Sequence, residues 1–318
     1  MTAVPDAGAA GGTRHRILVI KLGALGDFIQ AFAPFETIRR HHADAHITLL
    51  TTAPYRRLAE ASGWFDAVWL DDRPALLRPW QWLALRRRLH GGRFTRVYDL
   101  QTSDRSGWYF HLMRPGPPDW SGAVAGCSHR HRNPARDRMH TLERQAEQLA
   151  VAGLGPLETP DLAWLDADTG RYGLRSPFVL IVPGGALHRP DKRWPATRFG
   201  ALATGLLARG VQPVIVGGPA DADAVATVET VCPGAVGLAG ETDLFELAGL
   251  IRRSAAAVGN DTGPMHLAAA LGCPALVLFA EASDPALCAP RGTHVRILRR
   301  PSLAGLQVTE VEAALRLR

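Results

Sequence analysis

The sequence predicts an α/β protein built from two Rossmann-like domains that face each other across a cleft. Three observations support this. Short apolar runs alternate with helical patterns twice along the chain, an irregular segment separates the two series, and glycine-containing loops directly follow several strands. A chain of 318 residues is long enough for two domains of ordinary size. We place a disordered tail at 1–13, the first domain at 14–170 and the second at 171–318.

The first series predicts four strands and four helices around one irregular stretch. Strands are expected at 17–20, 46–51, 67–70 and 96–100, and helices at 28–41, 55–62, 80–89 and 139–152. The segment 114–137 is rich in Pro, Gly, Ser and Arg and is expected to be irregular.

The second series repeats the pattern. Strands are expected at 178–182, 213–216, 235–236, 255–258 and 275–279, and helices at 196–209, 220–231, 244–252 and after Pro264. Thr309 and Glu312 have the spacing of a capping box, which predicts a last short helix. We expect this helix to pack back on the first domain.

The composition favours an anionic binding partner but does not identify which kind. The formal net charge of +6 favours a nucleotide, a phosphorylated sugar, an acidic lipid surface or a nucleic acid, although Arg-rich usage in a GC-rich genome has the same effect. We expect a reduced, cytoplasmic protein for three reasons. Its four cysteines are scattered, a signal-peptide pattern is absent, and no apolar run approaches 18 residues.

The most informative stretch reads VGNDTGPMHLAAA, a strand end running into a helix. Pro264 suits a first helical turn, where its missing N–H has no partner anyway. Asp261 or Thr262 can cap the helix, and Gly263 lets backbone N–H groups approach a ligand closely. With His266 in the first turn, this helix start fits the phosphate oxygens of a nucleotide or nucleotide-sugar. A capped turn without a ligand is the alternative.

The first strand runs into the loop KLGALGD, which contains Gly23 and Gly26 and ends at Asp27. The loop is not GxGxxG, and no acidic residue stands at the end of the second strand, so dinucleotide binding is disfavoured. Asp27 is either a helix N-cap carboxylate or a general base that faces the cleft and deprotonates an acceptor hydroxyl.

The strand at 178–182 is followed by PGGALHRPDKRWP. Gly184 and Gly185 allow backbone access, and Lys192 with Arg193 supplies cations in the same loop. Lys192 fits a leaving diphosphate, whose negative charge grows as its bond to sugar breaks. A solvated basic loop is the alternative.

Two further stretches carry weaker signals. Asp221 follows the strand at 213–216. Its first interpretation is a helix cap, and the second is a hydrogen bond to a ribose hydroxyl. Metal binding comes third, because no other metal ligands cluster nearby. The segment 78–89, RPWQWLALRRRL, fits an amphipathic helix on an anionic membrane surface and equally a solvated basic face with its tryptophans packed inward. Dispersed basic residues and the lack of a recognition module argue against nucleic acid.

Together the three loops resemble those of the ADP-heptose:lipopolysaccharide heptosyltransferases, glycosyltransferase family 9. The matching stretches are KLGALGD at 21–27, KRWP at 192–195 and DTGPMHLAA at 261–269, and DLQTS at 99–103 is similar to the family's acceptor-side loop. The resemblance runs from about Arg16 to the C-terminal helix. Two stretches depart from it: the first loop starts KLGA where family members often have an Arg-Ser-type start, and 113–137 matches nothing in the family.

The resemblance implies a GT-B fold and an inverting, metal-independent transfer that needs no cofactor. The acceptor would bind mainly to the first domain and the donor mainly to the second. Asp27 matches the family's proposed catalytic base, and Lys192 matches the cation beside the donor phosphates. Further donor-side positions are Gly184, Gly185, Asp221, Asp261, Thr262, Gly263 and His266, and the acceptor-side positions are Gly23, Gly26 and Gln101.

We therefore expect a cytoplasmic glycosyltransferase that moves a sugar, heptose from ADP-heptose, onto a lipopolysaccharide-core or related glycolipid acceptor. A peripheral contact of the helix 80–89 with the inner-membrane surface is left open, as are the acceptor and the sugar. The alternatives are a nucleotide-sugar-binding protein of envelope assembly without catalysis, a transferase with another donor sugar, and an oxidoreductase, which the missing dinucleotide fingerprint disfavours.

Overall fold

A computed structural model describes residues 15–71, 73–75, 77–185 and 190–318. The predicted tail at 1–13 lies outside the described residues. Two parallel six-stranded sheets form the frame of the molecule, one in each half of the chain, as predicted for two Rossmann-like domains. The predicted boundary at 170/171 falls in the segment that connects the last helix of the first half to the first strand of the second.

The first sheet has the strand order β3-β2-β1-β4-β5-β6. Its central strand β1 is buried because four of its five residues are aliphatic and both faces are covered by helices. The elements of this half are β1 (Arg16–Ile20), α1 (Leu25–Ile29), α2 (Phe32–His41), β2 (His46–Thr51), α3 (Arg56–Ala61), β3 (Ala67–Leu70), α4 (Pro79–Gly91), β4 (Arg96–Asp99), α5 (Asp104–Leu112), β5 (Asp119–Gly122), β6 (His129–Arg130) and α6 (Thr141–Val151).

The second sheet has the order β12-β11-β10-β7-β8-β9. Its elements are β7 (Phe178–Val182), α7 (Ala196–Ala208), β8 (Gln212–Gly217), α8 (Ala222–Val231), β9 (Val236–Ala239), α9 (Leu244–Arg253), β10 (Ala256–Asn260), α10 (Gly263–Ala270), β11 (Ala275–Ala280), α11 (Pro285–Cys288), β12 (Val295–Arg300) and α12 (Val308–Ala314). None of the helices in the described part of the chain is long and apolar enough to cross a bilayer.

The strand order of each sheet reverses at one place, and this fixes the position of the site. Neighbouring β1 and β4 continue in opposite directions across the first sheet, as do β7 and β10 across the second. In open α/β sheets, ligands bind in the crevice outside the carboxyl ends of the strands at such a reversal. The loops that follow these four strands contain most of the candidate residues.

The predicted helix at 28–41 is two helices. The first, α1, already begins at Leu25, so Asp27 lies inside its first turn and Ala24 holds the N-cap position. The interpretation of Asp27 as an N-cap is therefore wrong. Two turn residues, Gln30 and Ala31, separate α1 from α2. The amide of Gln30 donates to the carbonyl oxygens of Cys288 and Ala289 in the second half.

The segment 114–137 is not irregular as predicted. It contributes β5 and β6, which extend the parallel sheet beyond β4, and a 3₁₀ turn at Arg136–Arg138. Trp120 is the buried anchor of β5, but only four residues pair there, too few for a visible alternation. The structure also adds α5, with a Ser103–Ser106 capping box, and the edge strand β12.

The last helix also differs from its prediction. The capping box is formed by Gln307 and Glu310, two residues before the predicted pair. Helix α12 packs on α7 of its own half, where Val311 and Leu315 join the apolar cluster that includes Phe199. It therefore covers the second domain rather than the first.

Candidate active site between the two halves

Asp27 lines a small, enclosed polar cavity of about 80 Å³. Its carboxylate stands on the third residue of α1, directly after the β1 loop. The other walls come from the loop after β4 and from α6 with the turn before it. They are Lys21, Leu100, Gln101, Thr102, Arg136, Arg144, Gln145 and Gln148.

Lys21 is held beside Asp27. Its Nζ donates to the carbonyl oxygen of Leu100 at 3.1 Å, and the residue is only 4% exposed. Burial lowers the pKa of Lys21, while the Asp27 carboxylate acts in the opposite direction. Gln101 locks the same two loops together, because its Oε1 accepts the backbone N–H of Leu22 at 2.8 Å.

Two arginines that sequence reasoning did not single out face the same cavity. Burial and the nearby Arg144 charge lower the pKa of Arg136 to about 10, so its guanidinium group remains cationic at neutral pH. Arg136 is fixed by His131 and by the Oε1 of Gln148 at 3.4 Å. Arg136 lies in the segment expected to be irregular and Arg144 lies in a predicted helix, and no local pattern pointed to either.

The first turns of α1 and α10, from different halves, are in direct contact. A Cβ on Gly26 would lie 2.8 Å from Cδ2 of His266, and a Cβ on Gly263 would lie 2.7 Å from Cβ of Leu25. The missing side chains of these glycines therefore make room for the opposite helix. This reason differs from the predicted one for Gly263, which was close approach of a ligand.

His266 is buried at this contact, with 8% of its surface exposed. Nε2 of Gln30 lies 3.3 Å from its Nδ1, and Oδ1 of Asp261 lies 4.0 Å from its Nε2. Burial lowers the pKa of His266, although Asp261 and Asp27 both act to raise it. A neutral ring whose Nδ1 accepts from Gln30 carries its proton on Nε2, the atom that lies 4.0 Å from Oδ1 of Asp261.

Asp261 contacts polar side chains from two other loops of the second half. Its Oδ2 accepts a hydrogen bond from Oγ of Ser283 at 2.7 Å and lies 3.4 Å from Nζ of Lys192. The Lys192 and Asp261 side chains are 17% and 11% exposed, so the ion pair is largely shielded from water. Thr262 takes the N-cap position of α10, but its hydroxyl makes no capping bond to the described backbone.

Asn260, the last residue of β10, positions the loop that carries Lys192. Its Oδ1 accepts the N–H of Trp194, and its Nδ2 donates to the carbonyl oxygens of Pro183 and Gly184, at 2.9 to 3.2 Å. One buried amide therefore ties the β7 loop and the β10 turn together. Residues 186–189 of this loop lie outside the described residues.

The remaining candidates have structural partners in the chain. Asp221 accepts the N–H of Gly218 at 3.0 Å, in agreement with its capping interpretation, and lies 3.7 Å from Arg193. A Cβ on Gly184 would lie 2.4 Å from the Asp221 carboxyl carbon, and one on Gly23 would lie 2.8 Å from the Tyr55 ring. Among the described residues, a Cβ on Gly185 would have only the Arg193 side chain near it, at 3.6 Å.

A larger cavity of about 460 Å³ adjoins the Asp27 cavity through Thr102. It is lined by the β4 loop, by α5 and by the residues after β5, including Ser103, Trp108 and His111. In the described part of the chain, no group of three or more His, Cys, Asp or Glu side chains is placed to hold a metal ion.

Two parallel α/β sheets that meet at their strand reversals, with a carboxylate from one half beside a cation-bearing turn of the other, define a GT-B glycosyltransferase. The comparisons with known proteins agree. The chain matches glycosyltransferase family 9 (heptosyltransferase) over residues 82–312. It is 27% identical to lipopolysaccharide heptosyltransferase 2 of Escherichia coli K12 over 89% of this chain and 88% of the relative.

Solved structures agree in fold. The E. coli ADP-heptose lipopolysaccharide heptosyltransferase II has a TM-score of 0.78 at 24% identity, covering 94% of this chain and 97% of its own. A family 9 glycosyltransferase from Veillonella parvula has a TM-score of 0.80 at 21% identity, covering 94% and 95%. The protein belongs to glycosyltransferase family 9, the heptosyltransferases, and is a glycosyltransferase.

Proposed function

We propose that this glycosyltransferase moves a heptosyl unit from an ADP-heptose donor onto a lipopolysaccharide-core or related glycolipid acceptor. The heptosyltransferase family and the similarity to lipopolysaccharide heptosyltransferase 2 support this choice of substrates. The observation that carries the proposal is the contact between α1 and α10, which brings Asp27 of the first half next to His266 and the Asp261–Lys192 pair of the second.

In the proposed reaction, Asp27 is the general base. It takes the proton of the acceptor hydroxyl while that oxygen attacks the anomeric carbon of the donor. The new C–O bond forms as the bond to the diphosphate oxygen breaks, and the electron pair leaves with the nucleoside diphosphate. The proposed step is a single displacement on the face opposite the leaving group, so it inverts the anomeric centre.

Lys192 and the amino end of α10 stabilise the leaving diphosphate. Its negative charge grows as the bond breaks, and a fixed cation with a helix N-terminus lowers the energy of that charge. Lys192 is paired with Asp261. The donor phosphates would share this cation, while Ser283 continues to hold the Asp261 carboxylate.

The charge of the preferred acceptor follows from Arg136, Arg144 and Lys21. Basic side chains outnumber carboxylates in the wall of the cavity that Asp27 lines, although Asp99 also acts on Lys21 and Arg136. An acidic group on the acceptor, a carboxylate or a phosphate, fits this surplus when it lies close to the attacked hydroxyl.

The test is transfer by the purified full chain with ADP-heptose and a lipid A–core acceptor, followed as release of ADP. Asp27→Asn should lower turnover by about 100-fold or more, the usual contribution of a positioned base, with donor binding by thermal shift nearly unchanged. Asp223→Asn, an exposed carboxylate in the first turn of α8, is the matched control and should behave like the unaltered protein.

The outcomes separate the competing functions. Donor binding without ADP release in the unaltered protein would indicate a nucleotide-sugar-binding protein without catalysis. Release with another nucleotide-sugar alone would change the donor but keep the enzyme class. Full activity of Asp27→Asn would remove Asp27 as the base.

A further inference from the structure

Helix α4 carries large apolar side chains that face away from the protein. Leu77, just before the helix, is 92% exposed, Trp80 is 63% exposed and Leu83 is 54% exposed. Trp80 and Leu83 are three residues apart and so lie on the same face. The helix does not need this face for packing, because Leu85 and Leu89 on its inner side fill the core of the first sheet.

The same region is strongly basic. Residues 73–98 contain seven arginines and no aspartate or glutamate. Arg88 is engaged, since its guanidinium stacks on the Trp69 ring at 4.6 Å. Arg78 and Arg87 are exposed, and no carboxylate in the described part of the chain pairs with either.

We propose that this surface, the α4 edge (Leu77, Arg78, Trp80, Leu83 and Arg87), lies on an anionic phospholipid bilayer. An indole and two leucines can enter the headgroup boundary, while the flanking arginines meet the lipid phosphates. A helix of 13 residues is about 20 Å long and lies in the interface plane.

The positive charge of the α4 edge favours a bilayer over a second copy of the chain as its partner. A twofold contact would place the same patch on both partners, so the arginines of the α4 edge would face each other. Phosphate headgroups complement them instead. The exposed leucines also favour a surface with acyl chains over a purely polyanionic partner.

Helix α4 packs beside α5, which lines the larger cavity. Arg86 of α4 donates to the carbonyl oxygen of Leu112 at 2.9 Å, and α5 supplies Gly107 and Trp108 to the cavity wall. If the proposed function holds, a lipid-anchored acceptor would enter the site from the membrane that α4 contacts.

Co-sedimentation of the full chain with lipid vesicles tests the surface without any measurement of transfer. We expect binding to phosphatidylcholine vesicles that contain phosphatidylglycerol, weakening as salt is added. Trp80→Ala with Leu83→Ala should lower the partition coefficient by about tenfold. Arg78→Gln with Arg87→Gln should lower it by about tenfold as well, and only on anionic vesicles.

The matched control lies on the exposed edge strand β12 of the second half. Arg296→Gln with Ile297→Ala also removes one cation and one apolar side chain, the latter 42% exposed, and should leave binding unchanged. All these positions are exposed, so thermal unfolding midpoints should stay constant.

Three results would overturn the proposal. They are equal binding to neutral and anionic vesicles, equal loss of binding in the β12 control, and a change from dimer to monomer in sedimentation velocity when the α4 edge is altered. A chain that binds vesicles but transfers no sugar would contradict the proposed function and leave the membrane surface standing.

Discussion

Gln30 controls which nitrogen of His266 holds the proton. Its amide lies 3.3 Å from Nδ1 of His266 and also donates to the carbonyl oxygens of Cys288 and Ala289. In Gln30→Met, a side chain of similar size without a donor, Nδ1 loses its partner and the Nε2–H form is no longer favoured. We expect kcat/KM to fall by about tenfold, the usual effect of one unsatisfied buried group.

Ring nitrogen chemical shifts of His266 distinguish this effect from a loss of structure. Gln30→Met should move them toward a mixture of tautomers while the fold is retained. Unchanged shifts with reduced activity would show that Gln30 acts only through the loop at Cys288 and Ala289.

Asp99 makes the stability of the first half depend on pH. It is 1% exposed at the end of β4, and burial raises its pKa from 3.8 to about 6, although it accepts the N–H groups of Gln101 and Thr102. A carboxyl whose folded pKa is raised contributes stability below its unfolded pKa, and this contribution is lost as pH rises through about 6. Between about pH 4.5 and about pH 7.5 the loss amounts to roughly 2 kcal/mol.

Asp99→Asn removes this titration. The free energy of unfolding of the variant, measured in urea relative to the unaltered protein, should therefore rise by roughly 2 kcal/mol over that pH range. If the free energies of unfolding of the two proteins change with pH in parallel, Asp99 ionises in the folded protein without loss of stability.

The candidate residues that the sequence suggested and those that only the structure adds differ in a physical way. Asp27, Lys192 and Asp261 stand where a strand passes into a loop or helix, a position visible locally. Arg144 and Gln30 reach the site from helix sides or breaks, and their distance to it depends on long-range packing. A local pattern contains no information on that packing.

At the scale of elements, the close contact of α1 and α10 rests on two glycines. Gly263→Ala would place a methyl group 2.7 Å from Leu25, and overpacking of this kind costs about 1–3 kcal/mol. Leu25→Gly in the same chain removes the atoms in conflict. We expect a double-mutant cycle of unfolding free energies in which the two changes together cost less than their sum.

A glycine without neighbours provides the control for that cycle. A Cβ on Gly91, in the last turn of α4, would meet nothing within 4 Å. Gly91→Ala should leave stability unchanged or raise it by about 0.5 kcal/mol. If Gly263→Ala is equally harmless, α1 and α10 do not need their close contact.

Strands were predictable where apolar residues form a compact run. The strands β2, β3 and β7 have the predicted bounds, because each is a compact run of strand-forming residues between turn signals. The strands β5 (DWSG) and β6 (HR) contain no such run. Pairing with β4 creates them, and propensity does not mark them.

For the whole molecule, the two α/β series predicted two parallel sheets, but not how the sheets face each other. Gly26 and His266 touch although they are 240 positions apart in the sequence. Such a contact is a property of the assembled halves. The presence of a cleft was therefore predictable, while the set of side chains that meet in it was not.

Both halves share one apolar core, which predicts that they unfold together. A single cluster of buried residues includes Phe28 and Phe32 from the first half and Leu247 and Leu250 from α9 of the second. Trp164 lies in the connecting segment at this junction, with its ring centroid 6.4 Å from that of Phe32 and 6.1 Å from that of Phe245 on α9. Urea unfolding should therefore show one transition, coincident by tryptophan fluorescence and far-UV circular dichroism.

Trp164→Ala removes the ring that joins the two sets of side chains. The free energy of unfolding should fall by about 3 kcal/mol, and the two signals should separate, because each sheet keeps its own strand pairing when the shared core weakens. Trp80→Ala, on the exposed face of α4, should change stability by less than about 0.5 kcal/mol. Two transitions in the unaltered protein would mean that the halves fold independently and that the contact of α1 with α10 forms only after each half is complete.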